Sequence, residues 1–233
     1  MDIDLKPYFD KYEALVEKAE GAFDRVKASH AECVKCEEKC SDCCFALFDL
    51  TLIEALYLHH KFNEKFEGSA RVELVEKANR ADRRIYKIKR NAFKELQAGG
   101  NEGELLAQMA LERVRCPLLS EKDLCDLYDN RPLTCRFYGI PTAIGGAGHT
   151  CGKSDFKQGE QYPTVNLDAV HNHLQQISAE LLRDIKSKNI KLVDLLVPVS
   201  SAMVMDFDEV FLGIAEEPQE EPQPRRRSRK KNE

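Results

Sequence analysis

Residues 33–44, CVKCEEKCSDCC, place five cysteines in twelve positions, and Val34 is the only other apolar side chain among them. The residues before it already carry a strong period. Phe9, Tyr12, Val16, Ala19, Phe23, Val26, His30 and Cys33 recur at alternating spacings of three and four, the signature of an amphipathic helix. This predicts one long helix that feeds straight into the cysteines. At about 100° per residue, Cys33, Cys36, Cys40, Cys43 and Cys44 then share an arc of about 100°, with their thiols on the core side. Cys43 and Cys44 strain that geometry, since adjacent helical residues diverge by about 100° and do not readily bind one ion together. Either the helix breaks there or the pair serves two centres.

The chemistry of the stretch favours ligands over nucleophiles. Glu32, Glu37, Glu38 and Asp42 outnumber Lys35 and Lys39, so the neighbouring side chains do not stabilise a reactive thiolate. Crowded thiolates also repel one another unless a cation compensates them, and a bound metal deprotonates thiols outright. A lone cysteine is readily a small buried hydrophobe; five at this density are not.

Working outward, Thr51 and Glu54 have capping-box spacing ahead of LIEALYLHH and predict a helix from Thr51 to near Gly68. A further helix is expected from Ser69 to the stop at Gly99-Gly100, a short one over GELLAQMALERV, and another over LDAVHNHLQQISAELLRDI. Between Cys116 and Pro163 the helical period vanishes among prolines and glycines, predicting loops with short strands. The segment GIPTAIGGAGHT lacks the lysine and the preceding buried strand of a phosphate loop and reads as a flexible loop. The expected fold class is mainly α: long amphipathic helices packed with an irregular cysteine-rich loop lobe, in one domain over residues 1–215. Residues 216–233 are a charged, proline-bearing, disordered tail with too few apolar residues to offset the entropy of ordering.

The chain of 233 residues has net charge −5, and the tail, with six basic and five acidic residues, leaves the remainder at −6. Nucleic acid is therefore not an expected partner, apart from weak contact by RRRSRKK in the tail. No stretch offers the roughly 20 uncharged apolar residues of a membrane span, and the charged N-terminus does not read as a secretory signal. A cytoplasmic location is expected. In a reducing compartment nine cysteines point to metal before disulfides.

Four more cysteines lie in the loop region: Cys116, Cys125 and Cys135 in CPLLSEKDLCDLYDNRPLTCRFYG, and Cys151 in HTCGKSDF. With Cys36, Cys40, Cys43 and Cys44 they make eight, enough for two four-cysteine sites, with Cys33 left over. Arg131 and Arg136 flank Cys135 and are candidates for compensating a negative thiolate cluster or gripping an anionic ligand; a salt bridge near Asp126 and Asp129 is the alternative. His30 reads as a packed core histidine, and His149 is the better substitute ligand. Tyr128 reads as a packed ring.

Taken together, C-x3-C-x2-C-C, the Thr51/Glu54 helix start and CDLYDNRPLTCRFYG with a later cysteine resemble the YkgJ-type cysteine-cluster proteins, the zinc- or iron-chelating CxxCxxCC family. The resemblance covers roughly Cys36 to Cys151 and implies a bound iron–sulfur cluster or zinc. The family's first motif is C-x2-C-x2-C-C, whereas three residues separate Cys36 from Cys40 here, which leaves Cys33 as an alternative to Cys36. Flagellin lysine N-methylases are similar through the same motif, so a methylase-like enzyme using S-adenosylmethionine is one alternative. CEEKCSDC also resembles the motif of radical S-adenosylmethionine enzymes, but no run of strand-helix units follows it. The expected cofactor is an iron–sulfur cluster of the [4Fe-4S] type, with zinc as the alternative. The partner is an unnamed substrate or redox protein, and a structural, carrier or sensor role competes with catalysis.

Overall fold

A computed structural model describes residues 3–214, and the charged tail of 216–233 lies outside the described residues. Helix α1 spans Lys6–Ser29, strand β1 Asp49–Leu50, α2 Leu52–Lys65, α3 Gly68–Gln97 and α4 Glu102–Leu111. A short α5 follows at Leu133–Phe137, then β2 (Thr142–Ile144), β3 (Ala147–His149), β4 (Val165–Asn166), α6 (Leu167–Asp184), β5 (Val197–Pro198) and α7 (Val199–Val204). The fold is mainly α, as expected.

The centre is α2. Its Leu52, Ile53, Ala55, Leu56, Tyr57, Leu58 and Phe62 are buried on nearly every side, the pattern of a helix enclosed by others. It packs against α1, α6 and α7, while α3 packs on α7 and α4. The Thr51/Glu54 capping box forms as the spacing predicts, fixing the start of α2 at the floor of the cysteine lobe. One core joins Tyr12 of α1, Phe62 of α2, Leu181 of α6 and Met203 of α7, all nearly inaccessible to solvent.

Two expectations are corrected. The first is the continuous helix through the cysteines: α1 stops at Ser29, His30 caps it, and residues 34–41 are irregular before a 3-10 turn at Asp42–Phe45. The apolar period that holds α1 on the core has no aliphatic residue to continue it beyond Val34. Lys39 then takes φ 68°, inside a tight turn closed by the Cys40 amide donating to the Glu37 carbonyl (3.0 Å). Left-handed backbone in mid-helix is incompatible with continuation. The cysteines therefore do not share a helix face.

The second is GIPTAIGGAGHT, which is an ordered hairpin: Thr142 pairs with His149 and Ile144 with Ala147, while β4 adds in parallel beside Thr142 and Ala143. Gly145 and Gly146 both adopt positive φ, as the tight turn of a two-residue hairpin requires. The C-terminal segment, without a clear period in the sequence, supplies β5 and α7, and β5 pairs antiparallel with β1. Among the described residues no helix is long and apolar enough to cross a membrane.

Candidate metal centre

The cysteines reach one end of the helical core from separate segments. Residues 113–116 run antiparallel to 44–46: Ala46 bridges Arg113, the Val114 amide donates to Phe45 O (3.0 Å), and the Cys116 amide donates to Cys44 O (2.7 Å). Cys116 is thereby placed beside Cys44. A tight loop closed by the Leu119–Cys125 bridge and by the Asp126 amide donating to Leu118 O (2.8 Å) folds Cys125 back toward Cys116.

Cys135 arrives on α5, which is pinned at both ends. At its start the Leu133 amide donates to Oε1 of Glu54 (3.2 Å), so the carboxylate that closes the α2 capping box also anchors α5. Burial pushes the Glu54 carboxyl up to about 7. At the other end Arg136, almost wholly buried, pairs with Glu20 of α1 and donates to the carbonyls of Arg131 (2.9 Å) and Asp129 (2.5 Å).

Cys43, Cys44, Cys116, Cys125 and Cys135 consequently line one cavity, walled on its far side by Leu47, Ala81, Ile85 and Val199. Cys36, Cys40 and Cys151 form a second, adjoining group: Cys36 lies within electrostatic reach of Cys40, Cys151 and Cys43. Cys33 belongs to neither. It is buried in the core, donates to Glu32 (3.6 Å) and has Asp155 and Glu160 as its charged neighbours. Among the described residues no three cysteine, histidine, aspartate or glutamate side chains are arranged to hold a metal ion as they stand.

Electrostatics favour the neutral form at most of these thiols. Burial raises Cys36 to about 11 and Cys116 to about 12, and it raises Cys125, Cys135 and Cys151 as well, with neighbouring thiolates adding to the effect. Cys43 is the exception, pulled down first by a hydrogen bond with Cys44, whose own thiol is pushed up in return. Arg131 and Arg115 are the cations lining this cavity; Arg131 helps to lower Cys43 and partly opposes the rise at Cys125 and Cys135 while stacking on Tyr128 (4.1 Å). Arg136 is turned away, its donors used by Glu20 and the two carbonyls. All-thiolate donors suit zinc or an iron–sulfur cluster and disfavour hard ions such as calcium or magnesium.

Three residues escaped the sequence reading. Asp42 accepts from Arg113 (2.7 Å), Tyr138 (3.0 Å) and the Cys151 thiol (3.7 Å), tying the first cysteine stretch to the last. Partial burial opposes its charge, but the bonds from Tyr138 and Arg113 win and hold the carboxyl below its usual value. Gly139, at φ 105°, sits against Cys36 so closely that a Cβ there would lie 2.2 Å from Sγ. The only signal for these was position: Asp42 precedes the Cys43-Cys44 pair, and Tyr138-Gly139 end the CRFYG run. His30 is a packed ring against Tyr162 and Phe156, whereas His149 is exposed on β3 near Cys151.

A family model described as "Putative zinc- or iron-chelating domain", CxxCxxCC, matches residues 35–152, just over half of the chain. No curated protein and no solved structure matches the chain.

Proposed function

The chain belongs to the CxxCxxCC zinc- or iron-chelating family, and from that premise we propose that it holds an iron–sulfur cluster, of the [4Fe-4S] type, and acts in redox or radical chemistry. One observation carries this reading: five cysteines separated by up to 92 positions, from Cys43 to Cys135, line a single cavity. Chance burial of small hydrophobes would scatter them among aliphatic neighbours. Cys43, Cys116, Cys125 and Cys135 would be its ligands, with Cys44 beside them, and Cys36, Cys40 and Cys151 would form an adjoining site.

Four thiolates serve a tetrahedral zinc and a [4Fe-4S] cluster alike, and the all-cysteine donor set in an apolar cavity leads us to the cluster. A bound cluster supplies one-electron chemistry. The protein's part is to exclude water with the aliphatic wall and to offset the negative charge of the thiolates with Arg131. The mainly α fold lacks, among the described residues, the β/α barrel on which the radical S-adenosylmethionine resemblance depends. A structural zinc site remains the competing reading.

Anaerobic purification with metal and sulfide analysis separates them. Brown protein with iron and acid-labile sulfide supports the proposal; colourless protein with stoichiometric zinc overturns it. An unchanged electron paramagnetic resonance signal of the reduced cluster on adding S-adenosylmethionine would remove the radical alternative.

A further inference from the structure

Helix α3 is chemically two-faced, and its outer face takes no part in the cysteine site. Leu74, Ala78, Ala81 and Ile85 turn inward, and Ala81 and Ile85 wall the cavity described above. At about 100° per residue, Arg80, Arg83, Arg84, Lys87, Arg90 and Lys94 fall within an arc of about 120° centred opposite that inner face. All six are exposed. Only Arg80 has an acidic partner among the described residues, Glu76 at 3.9 Å, and Arg83, Arg84, Lys87, Arg90 and Lys94 have none. Between Lys77 and Lys94 the sole acidic residue is Asp82, and it is engaged by Ser200 and Ser201 of α7. Lys89, off the strip, is spent on Asp49 (2.6 Å).

Six cations in one strip about 21 Å long, at 1.5 Å per residue, stand out on a chain whose net charge is −5. Solubility does not require such segregation, and self-repulsion along the strip opposes it, which points to a polyanionic partner. Tyr86 and Phe93 flank the strip seven residues apart on one side and are 62% and 58% exposed, neither ring packed on another aromatic among the described residues. Exposed rings beside arginine-rich backbone contacts are what unstacked bases use, since every base presents a π-face and arginine both pairs with phosphate and stacks. A helix lying on a lipid surface would turn its apolar face to the acyl chains, but that face of α3 is consumed by the protein core.

We propose that the outer face of α3 is a docking surface for single-stranded nucleic acid, with the six cations tracking phosphates and Tyr86 and Phe93 stacking bases. Net charge conceals the surface because acidic residues elsewhere cancel it in the total.

The test is fluorescence anisotropy of the full-length, metal-loaded protein with a 12-nucleotide oligouridylate across a salt series. Neutralising R83Q/K87Q/R90Q is expected to weaken binding at least tenfold and to flatten the log–log salt slope by about 2, at about 0.7 per phosphate contact on a single strand. Y86A/F93A is expected to weaken binding with the slope unchanged. R83K/R90K keeps the charge and is expected to keep the slope, showing that any loss in the neutral variant is electrostatic and not unfolding. Wild-type slope and affinity in R83Q/K87Q/R90Q would overturn the proposal and assign any binding to the RRRSRKK tail. So would tighter binding to a duplex, or to phosphatidylserine vesicles, than to the single strand.

Discussion

Gly139→Ala puts a methyl group where Cys36 already is. The added Cβ would lie 2.2 Å from Cys36 Sγ, a separation that non-bonded atoms do not tolerate, and the residue holds φ 105°. Two costs combine. Positive φ in a residue bearing a side chain costs about 1–2 kcal/mol, and overpacking that forces a side chain aside costs about 1–3 kcal/mol. A loss of about 3 kcal/mol lowers Tm by roughly 6–12 °C in a chain of this size. Urea unfolding or calorimetry of the metal-free protein measures it. The two costs separate in a cycle with Cys36→Ala, because the next atom that the new methyl would meet, Cys36 Cβ, is at an ordinary 3.6 Å. Cys36→Ala should therefore relieve the overlap and leave the φ strain, giving a coupling of about 1–2 kcal/mol. Gly139→Ala within about 0.5 kcal/mol of wild type, or zero coupling, would refute the placement of Cys36 against the Tyr138-Gly139 backbone.

Cys33→Ala should leave metal content unchanged while Cys135→Ala abolishes or halves it, measured by elemental analysis; equal losses would contradict the exclusion of Cys33 from both thiol groups. Arg131→Gln removes a cation that favours the thiolate forms of Cys43, Cys125 and Cys135, so protons should compete better for the thiols and the midpoint of acid-induced metal release should move to higher pH; an unmoved midpoint counts against charge compensation. Glu54 titrates near 7 in the fold against an ordinary 4.5, so the folded state holds its proton more tightly than the unfolded chain does. Its contribution to stability is complete below about 4.5 and lost as pH rises through 7, amounting to about 3 kcal/mol. Glu54→Gln should flatten the pH dependence of unfolding between 5 and 7, and an unaltered slope would show that another group carries it.

The helices were legible wherever an aliphatic or aromatic stripe persisted. Tyr12, Val26, Leu74 and Leu181 sit on the faces that their periods assign, and Thr51 with Glu54 marks a boundary that the structure keeps. The cysteine helix failed for a specific reason: thiols at spacings of three and four imitate an apolar stripe, although their role here is not to fill a helix seam. Charged residues on both sides of them, and Lys39 in left-handed backbone, turn the chain instead. Asp42 was illegible because a carboxylate among glutamates looks like solvated charge, and its partners, Arg113, Tyr138 and Cys151, lie 71 to 109 positions away. Segregation on α3 was hidden by summing charge over the whole chain.

The two thiol groups are held by bonds of different kinds, and this bears on what each can do. Cys116, Cys125 and Cys135 are fixed through backbone pairing with 44–46 and through α5, whose anchors Glu54 and Arg136 are among the few buried charged residues. Moving them means unfolding elements that the core depends on. Cys36, Cys40 and Cys151 instead hang from loops, by Asp42, by the Tyr138 carbonyl at 3.4 Å from Cys36 Sγ, and by an exposed Lys35–Asp155 pair. An exposed pair of that kind contributes about 0–1 kcal/mol, so it adds little to the hold on these thiols. Cys43 is within electrostatic reach of both groups, and its neighbour Cys44, in the same 3-10 turn, shares a side-chain hydrogen bond with it. Cys43 is therefore the contact between a set of thiols fixed by backbone pairing and a set held by loops, and on the proposed reading a permanent centre would sit with the first and exchange of metal or ligand with the second.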